Sequence, residues 1–294
     1  MDTVEPSRGK QAVTDENGHI TSCGDTVLGA DDFAGVSAIL EGAASLLESG
    51  ATHPTLELLF TTGEEHFCVG AKAFDAQRLQ SKTAYVMDLS GPVGDCAVAA
   101  PTLITFSAEV VGKAAHAGFA PEDGVHAIQV AAAAVAHLPS GRWGDVTVNV
   151  GTISGGRATN IVPDSCTVTG EIRALCHQDA LDRLNEIHSE FVEQAQAVDA
   201  KLNFNHTIHI TGYRVDTDAP VAQRFRRACA AVGVAPRFTD TYGGSDCNIL
   251  SAHGIQGLVV ATAMNNCHAV NEYTTVEELC KAARLAQALM EKQD

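Results

Sequence analysis

Four segments of this 294-residue chain carry acids or an imidazole to the end of an apolar run or the start of a helix. Thr55-Leu-Glu-Leu-Leu-Phe-Thr-Thr-Gly-Glu-Glu65 leads through Gly63 into two adjacent carboxylates. Neighbouring glutamates repel, and desolvating them is costly unless a cation or a shared proton compensates. Tyr85-Val-Met87 delivers Asp88 and then Ser90-Gly91-Pro92, and Gly257-Leu-Val-Val-Ala-Thr262 runs on through Cys267 to His268. Thr26-Val-Leu-Gly-Ala-Asp-Asp32 presents Asp31 and Asp32 just before an amphipathic helix. Each has an ordinary alternative when taken singly. Glu64 and Glu65 read as a solvated acidic turn, Asp31 or Asp32 as a helix N-cap, Asp88 as a turn former and His268 as a loop histidine. Taken together, they are the ligand types of zinc and similar divalent ions. They also fall where open α/β sheets gather ligand groups, beyond the carboxyl ends of strands.

The elements that must position them alternate. Residues 1–30 read as extended and turn-rich. A helix is expected over Phe33–Glu48, burying Val36, Ile39, Leu40, Leu46 and Leu47. Strand Leu56–Phe60, a short helix near Gly70–Leu79 and strand Tyr85–Met87 follow, a pattern of parallel βα units. The order then changes. Ile104–Val111 alternates as a strand, and Pro121 opens a helix reaching Leu138. Val146–Ile153 and Cys166–Ile172 are strands joined by a Gly/Asn/Pro-rich stretch, 154–164. Helix Gln178–Val198 and strand Leu202–Ile210 complete β-α-β-β-α-β, the order of a ferredoxin-like unit. Alternating elements resume over 218–294, so the unit is inserted: helix Ala219–Val232, strand Pro236–Thr239, helix Asp246–Ala252, strand Gly257–Val260 and helix Val276–Glu291.

Composition narrows the class of partner. The formal net charge of −17 argues against nucleic acid or an anionic membrane surface. Hydrophobic content of 45% with only 5% aromatics fits a compact Ala/Val/Leu-rich α/β protein. Nine cysteines, none in a CxxC pair, make a disulfide framework unexpected and a reducing, cytoplasmic setting the default. No basic, apolar leader opens the sequence, and no apolar run approaches the ~20 residues of a membrane span.

Read in order, the motifs resemble a known family: peptidase T and its close relatives, within the di-zinc group that also holds aminoacylases and glutamate-releasing carboxypeptidases. The matching pieces are Leu28-Gly-Ala-Asp-Asp-Phe-Ala-Gly35, Phe60-Thr-Thr-Gly-Glu-Glu65, Gly91-Pro-Val-Gly94 and Gly112-Lys-Ala-Ala-His-Ala-Gly118. Ala158-Thr-Asn-Ile-Val-Pro163, Gly170-Glu-Ile-Arg173, Gly243-Gly-Ser-Asp246 and Cys267-His268 continue the series. The resemblance implies a layered α/β zinc-peptidase-like catalytic domain from 1–100 and 213–294. It also implies an inserted ferredoxin-like lid and dimerisation domain at 101–212, pairing the chain as a homodimer. Asp31 would bridge two metals, Glu65 and His268 would complete one site, and Asp88 would belong to the other. Glu64 would be the general base, taking a proton from the attacking water and returning it to the leaving amine. His116 would stabilise the oxyanion or hold substrate, Arg173 would grip a substrate carboxylate, and Asn160 and Ser245 would line the substrate pocket.

The chain departs from the family pattern at its start. Met1-Asp2-Thr3-Val4 matches the end of a His-x-Asp-Thr-Val motif whose His binds a metal and whose Asp, here Asp2, orients it. The resemblance therefore implies that the first strands and one ligand are missing, leaving one well-formed zinc site. Phe33 also stands where the family has Lys. The expected activity is aminopeptidase action on short peptides. The alternatives are an amidohydrolase acting on N-acyl amino acids and an inactive remnant that works only through association.

Overall fold

The structure, a computed structural model, describes residues 2–292. It divides into two units, residues 1–100 with 213–294 and residues 101–212. The first begins with β1 (Ala12–Thr14) and β2 (His19–Ser22), a hairpin turned at Asn17-Gly18. Asp15 Oδ1 shapes that turn by accepting the Asn17 and His19 N–H groups at 2.9 and 2.8 Å. Then come α1 (Ala30–Ser49), α2 (Val69–Ala73), β3 (Thr83–Ser90) and β4 (Asp95–Ala100).

The second unit holds β5 (Thr102–Val111), α3 (Ala127–His137), β6 (Gly141–Trp143), β7 (Val146–Gly155), β8 (Ser165–Ala174), α4 (His177–Gln196) and β9 (Lys201–Ile210). The chain re-enters the first unit with β10 (Tyr213–Arg214), α5 (Pro220–Val232), β11 (Arg237–Asp240), α6 (Asp246–Ala252), β12 (Gln256–Met264), β13 (Tyr273–Thr275) and α7 (Val276–Met290).

The main sheet of the first unit runs β10-β4-β12-β3, with β11 also paired to β4. β12 is parallel to β3 and antiparallel to β4. Buried on both faces, β4 and most of β12 read as continuous apolar runs. Helices α1, α5 and α7 supply Ala38, Leu46, Phe225, Leu285 and Leu289 to the core around them. β13 joins β2 in a separate three-stranded sheet.

In α1 the buried face is made of Ala34, Gly35, Ala38, Gly42 and Leu46, whereas Leu40 and Leu47 are exposed. That corrects the face expected from the larger side chains. The cause is close approach: a Cβ on Gly35 would collide with the Met87 carbonyl oxygen of β3. One on Gly42 would press within 3.0 Å of the backbone of α7. Small residues are what let this helix lie so near the sheet.

In the second unit the sheet order is β6-β7-β8-β5-β9, antiparallel throughout. β7, β8, β5 and β9 keep the ferredoxin-like arrangement, and β6 adds a short fifth strand beside β7. α3 and α4 cover one face, where Ile104, Phe106, Val168, Ile172, Ile187 and Phe191 are buried. Among the described residues no helix is long and apolar enough to cross a membrane.

Other expectations need amendment. Leu56–Phe60 enters no strand ladder. It lines, together with Thr83–Asp88 of the edge strand β3, a cavity of about 430 Å³. The helix expected from Pro121 splits into a single 3-10 turn, Pro121–Asp123, and the later α3. Val125 interrupts it by exchanging backbone hydrogen bonds with Lys113 at 2.9 and 3.0 Å. β4 has no counterpart among the expected elements.

Candidate metal centre and active site

Asp31 and Asp32 open α1, and neither has helical backbone angles, so the regular helix starts at Phe33. Asp32 Oδ1 accepts the Gly35 N–H at 3.1 Å, as an N-cap does. Capping by Asp32 frees the Asp31 side chain, whose Oδ2 lies 3.2 Å from His268 Nε2.

The two glutamates sit in a tight turn. Gly63 has φ +68°, a value that disfavours any residue with a side chain, and its carbonyl accepts from His66 and Val69. The turn sends the two acids to different partners. Glu65 Oε1 meets His268 Nε2 at 3.0 Å. Glu64 takes the Cys68 thiol at 3.7 Å, and its own N–H donates to Asp2 Oδ1 at 3.0 Å.

His268 is carried by the loop between β12 and β13, with its own φ at +66°. Asn265 and Tyr273 close the loop by exchanging backbone hydrogen bonds at 3.1 Å, and Asn266 Nδ2 donates across it to the Asn271 carbonyl. Asp31, Glu65 and His268 together place one ligand atom each within 4.8 Å of one another.

Asp31, Asp32, Glu64, Glu65, Asp88 and Asp246 all line the same cavity. Burial first, then Glu65, Asp246 and Asp31, push the Glu64 carboxyl up to about 8. Burial and Asp31 likewise raise Glu65, against the opposing pull of His268. Asp32 is held well above the usual carboxylate range by burial and Asp31, and Asp88 by burial, Asp32 and Glu64. Carboxylates that hinder one another's ionisation are what a divalent cation would relieve. The donor set of two carboxylates and an imidazole suits zinc, so the residues present fit the metal.

Ser245 is buried, and its hydroxyl accepts the Cys247 N–H at 3.2 Å as the N-cap of α6. The neighbouring Asp246 is the residue that reaches the cavity, where it accepts from the Thr61 hydroxyl. His116, Asn160 and Arg173 belong to the second unit. His116 and Asn160 lie on adjoining loops, since the Asn160 carbonyl accepts the Ala117 N–H at 3.0 Å. His116 Nδ1 accepts from the Gly118 and Phe119 N–H groups at 3.1 and 3.2 Å, so the ring proton sits on Nε2. Arg173 on β8 pairs with Glu171, Nε to Oε1 at 2.9 Å.

Sequence reading missed two participants. Asp246 ends the quoted Gly243-Gly-Ser-Asp246 motif, so its signal was present. Glu272 carried none beyond lying four residues after His268.

Comparison with known proteins extends this geometry. A peptidase dimerisation domain profile matches residues 98–199, and a Peptidase family M28 profile matches residues 3–99. The uncharacterized protein YqjE of Bacillus subtilis is 35% identical over 293 residues, spanning 99% of this chain and 79% of that protein. The crystal structure of the aminopeptidase PepT from Bacillus cereus is 37% identical with a TM-score of 0.92, covering 98% of this chain and 78% of that one. A tripeptidase structure from Staphylococcus aureus is 29% identical with a TM-score of 0.95 and the same coverage. The two peptidase profiles together with the PepT structure define the class as metallopeptidase, a hydrolase. Within that class, this chain belongs to the peptidase T-like family. The resemblance carried by the motifs is thereby borne out.

Proposed function

We propose that this chain is a zinc-dependent aminopeptidase that removes the amino-terminal residue of short peptides, tripeptides above all. The reading rests on one observation: Asp31 and Glu65, which group with His268, line the same cavity as a Glu64 carboxyl pushed up to about 8. It is supported by similar structures titled aminopeptidase and tripeptidase.

In this reading residues 1–100 and 213–294 are the catalytic domain, and Asp31, Glu65 and His268 hold one ion. Asp88, with Asp31, would hold a second ion only weakly, since no imidazole joins them. The bound metal would polarise the scissile carbonyl and acidify water. Glu64 is the proton carrier, because a group titrating near the working pH can both accept and return a proton. Its backbone is fixed by Asp2 and its side chain by Cys68. His116 presents an Nε2–H, the donor that an oxyanion or a substrate carbonyl requires. Arg173 offers the planar fork for a peptide carboxylate once Glu171 yields it. Asn160 adds an amide to the substrate-binding set. The part proposed for Ser245 is to hold Asp246 at the cavity through the α6 cap.

Residues 101–212 are the dimerisation domain of a homodimer, and the nine free cysteines suit a reducing cytoplasm. The dimer should sediment at twice the 30.7 kDa chain mass. The activity test is incubation of a tripeptide with the chain and added zinc, cobalt or manganese, followed by mass spectrometry of the products. Release of the amino-terminal residue supports the proposal. Turnover of an N-acyl amino acid without tripeptide cleavage would replace it with an amidohydrolase.

A further inference from the structure

Glu272 is a carboxylate only 1% exposed, which is unfavourable unless its charge is met. It is met by backbone N–H groups at the start of α1. Its Oε2 accepts the Gly29 N–H at 2.6 Å, and its Oε1 accepts the Asp31 N–H at 2.8 Å. The Lys10 ammonium adds an opposite charge nearby. Both N–H groups lie just before the regular turns of α1, where no helical carbonyl can accept them, so an acceptor must come from elsewhere.

Glu272 also belongs to the His268 loop. Its own N–H donates to the Ala269 carbonyl at 3.0 Å, and the Asn265–Tyr273 pair closes the loop around it. One side chain therefore joins the backbone of one candidate ligand, Asp31, to the loop that carries another, His268. Those ligands are far apart in sequence and come from different elements. The two segments also meet through the Asp31–His268 pair, through the Cys267 side chain at Asp31, and where Met264 and Cys267 pack with Ala30 and Ala34, but Glu272 is the side chain that holds the Asp31 backbone.

We propose that Glu272 is a positioning residue for the metal centre, fixing the separation of Asp31 and His268 before an ion binds. This rests on the reading of Asp31, Glu65 and His268 as ligands. A glutamine at this position keeps the shape but has one carbonyl oxygen for two N–H groups, so one donor then faces an amide NH2. Aspartate keeps the charge and falls one methylene short.

The test titrates the metal-free chain with cobalt(II), following its visible absorption and measuring bound metal by equilibrium dialysis. Wild type, His268→Ala, Glu272→Gln, Glu272→Asp and Asp15→Asn are compared. Asp15 also caps two N–H groups, but in the β1–β2 turn, so it controls for the general loss of a carboxylate cap. Glu272→Gln is expected to weaken cobalt binding by about tenfold to 100-fold, the usual scale for groups that orient ligands, and to shift the absorption bands. Glu272→Asp should fall between it and wild type, and Asp15→Asn should match wild type. If the Gln variant does not fold, a weakened and spectrally shifted Asp variant carries the same support. Wild-type affinity and spectrum in whichever Glu272 variant folds would overturn the proposal. Wild type and His268→Ala binding cobalt alike would instead overturn the ligand assignment, and this inference with it.

Discussion

His268 Nε2 lies 3.0 Å from Glu65 Oε1, although 203 positions separate the two residues. The contact joins the turn after Gly63 to the loop after β12, and Asp31 completes the group from the start of α1. An imidazole between two carboxylates either bridges them itself or shares an ion with them. If the group holds zinc, His268→Ala and Glu65→Gln should each lower affinity by about 100-fold or more, since loss of a ligand exceeds the effect of loss of its support. Equilibrium dialysis with elemental analysis measures this directly. Wild-type metal content in both variants would mean that the ion sits elsewhere.

Glu64 is adjacent to Glu65 but differs in role, because the turn directs it away from His268. Glu64→Gln should keep metal content nearly unchanged and lower hydrolysis by about 100-fold or more, the scale of lost acid–base help. The measurement pairs kcat with metal content. If Glu64→Gln strips the metal while Glu65→Gln does not, the two roles have been assigned in reverse.

The same carboxylate predicts how stability follows pH. The folded pKa of Glu64, about 8, lies above the ordinary 4.5. Between those values the unfolded chain has released a proton that the folded chain retains. Stability is therefore fully present below pH 4.5 and is lost as pH rises through 8. Glu65, Asp32 and Asp88 are shifted in the same direction. Metal-free protein should thus lose stability on the order of a few kcal/mol from pH 5 to pH 8, since each tenfold change in proton affinity is worth about 1.4 kcal/mol. Thermal melts in chelator should show a falling midpoint, and added zinc should restore it most at the high end. A midpoint that rises with pH in chelator would contradict the burial of these acids.

What the sequence disclosed and what it hid follow from packing. The β-α-β-β-α-β order was legible because strands with one face covered alternate, as Ile104–Val111 does. β4 was hidden for the opposite reason: all six of its residues are buried, and Asp95-Cys-Ala-Val-Ala-Ala100 shows neither alternation nor large side chains. Leu56–Phe60 has the composition of a strand, but strand formation needs a pairing partner, and it has none in the described sheets; it lines a cavity instead. At the site, ligand types pointed to a set of acids and His268, and it was the resemblance to the peptidase T family that picked out Asp31, Glu65 and His268 from it. Only coordinates could show that Asp32 caps the helix or that Glu272 holds the Asp31 backbone, since both depend on contacts with backbone N–H groups.

Asp31 is only as well placed as the helix behind it, so the seat of α1 should govern metal binding. Gly35 faces the Met87 carbonyl one residue before Asp88, and a methyl group there must push α1 away from β3. Gly35→Ala improves helix propensity by about 1 kcal/mol in isolation, yet overpacking costs about 1–3 kcal/mol and should prevail. The variant should unfold at lower urea with an unchanged slope, and it should bind zinc more weakly because Asp31 and Asp88 are displaced together. Ser37→Ala, an exposed site on the same helix, should change stability by no more than about 0.5 kcal/mol and leave binding intact. Should Gly35→Ala prove as stable and as tight a zinc binder as wild type, the close approach of α1 to β3 would not be what sets the site.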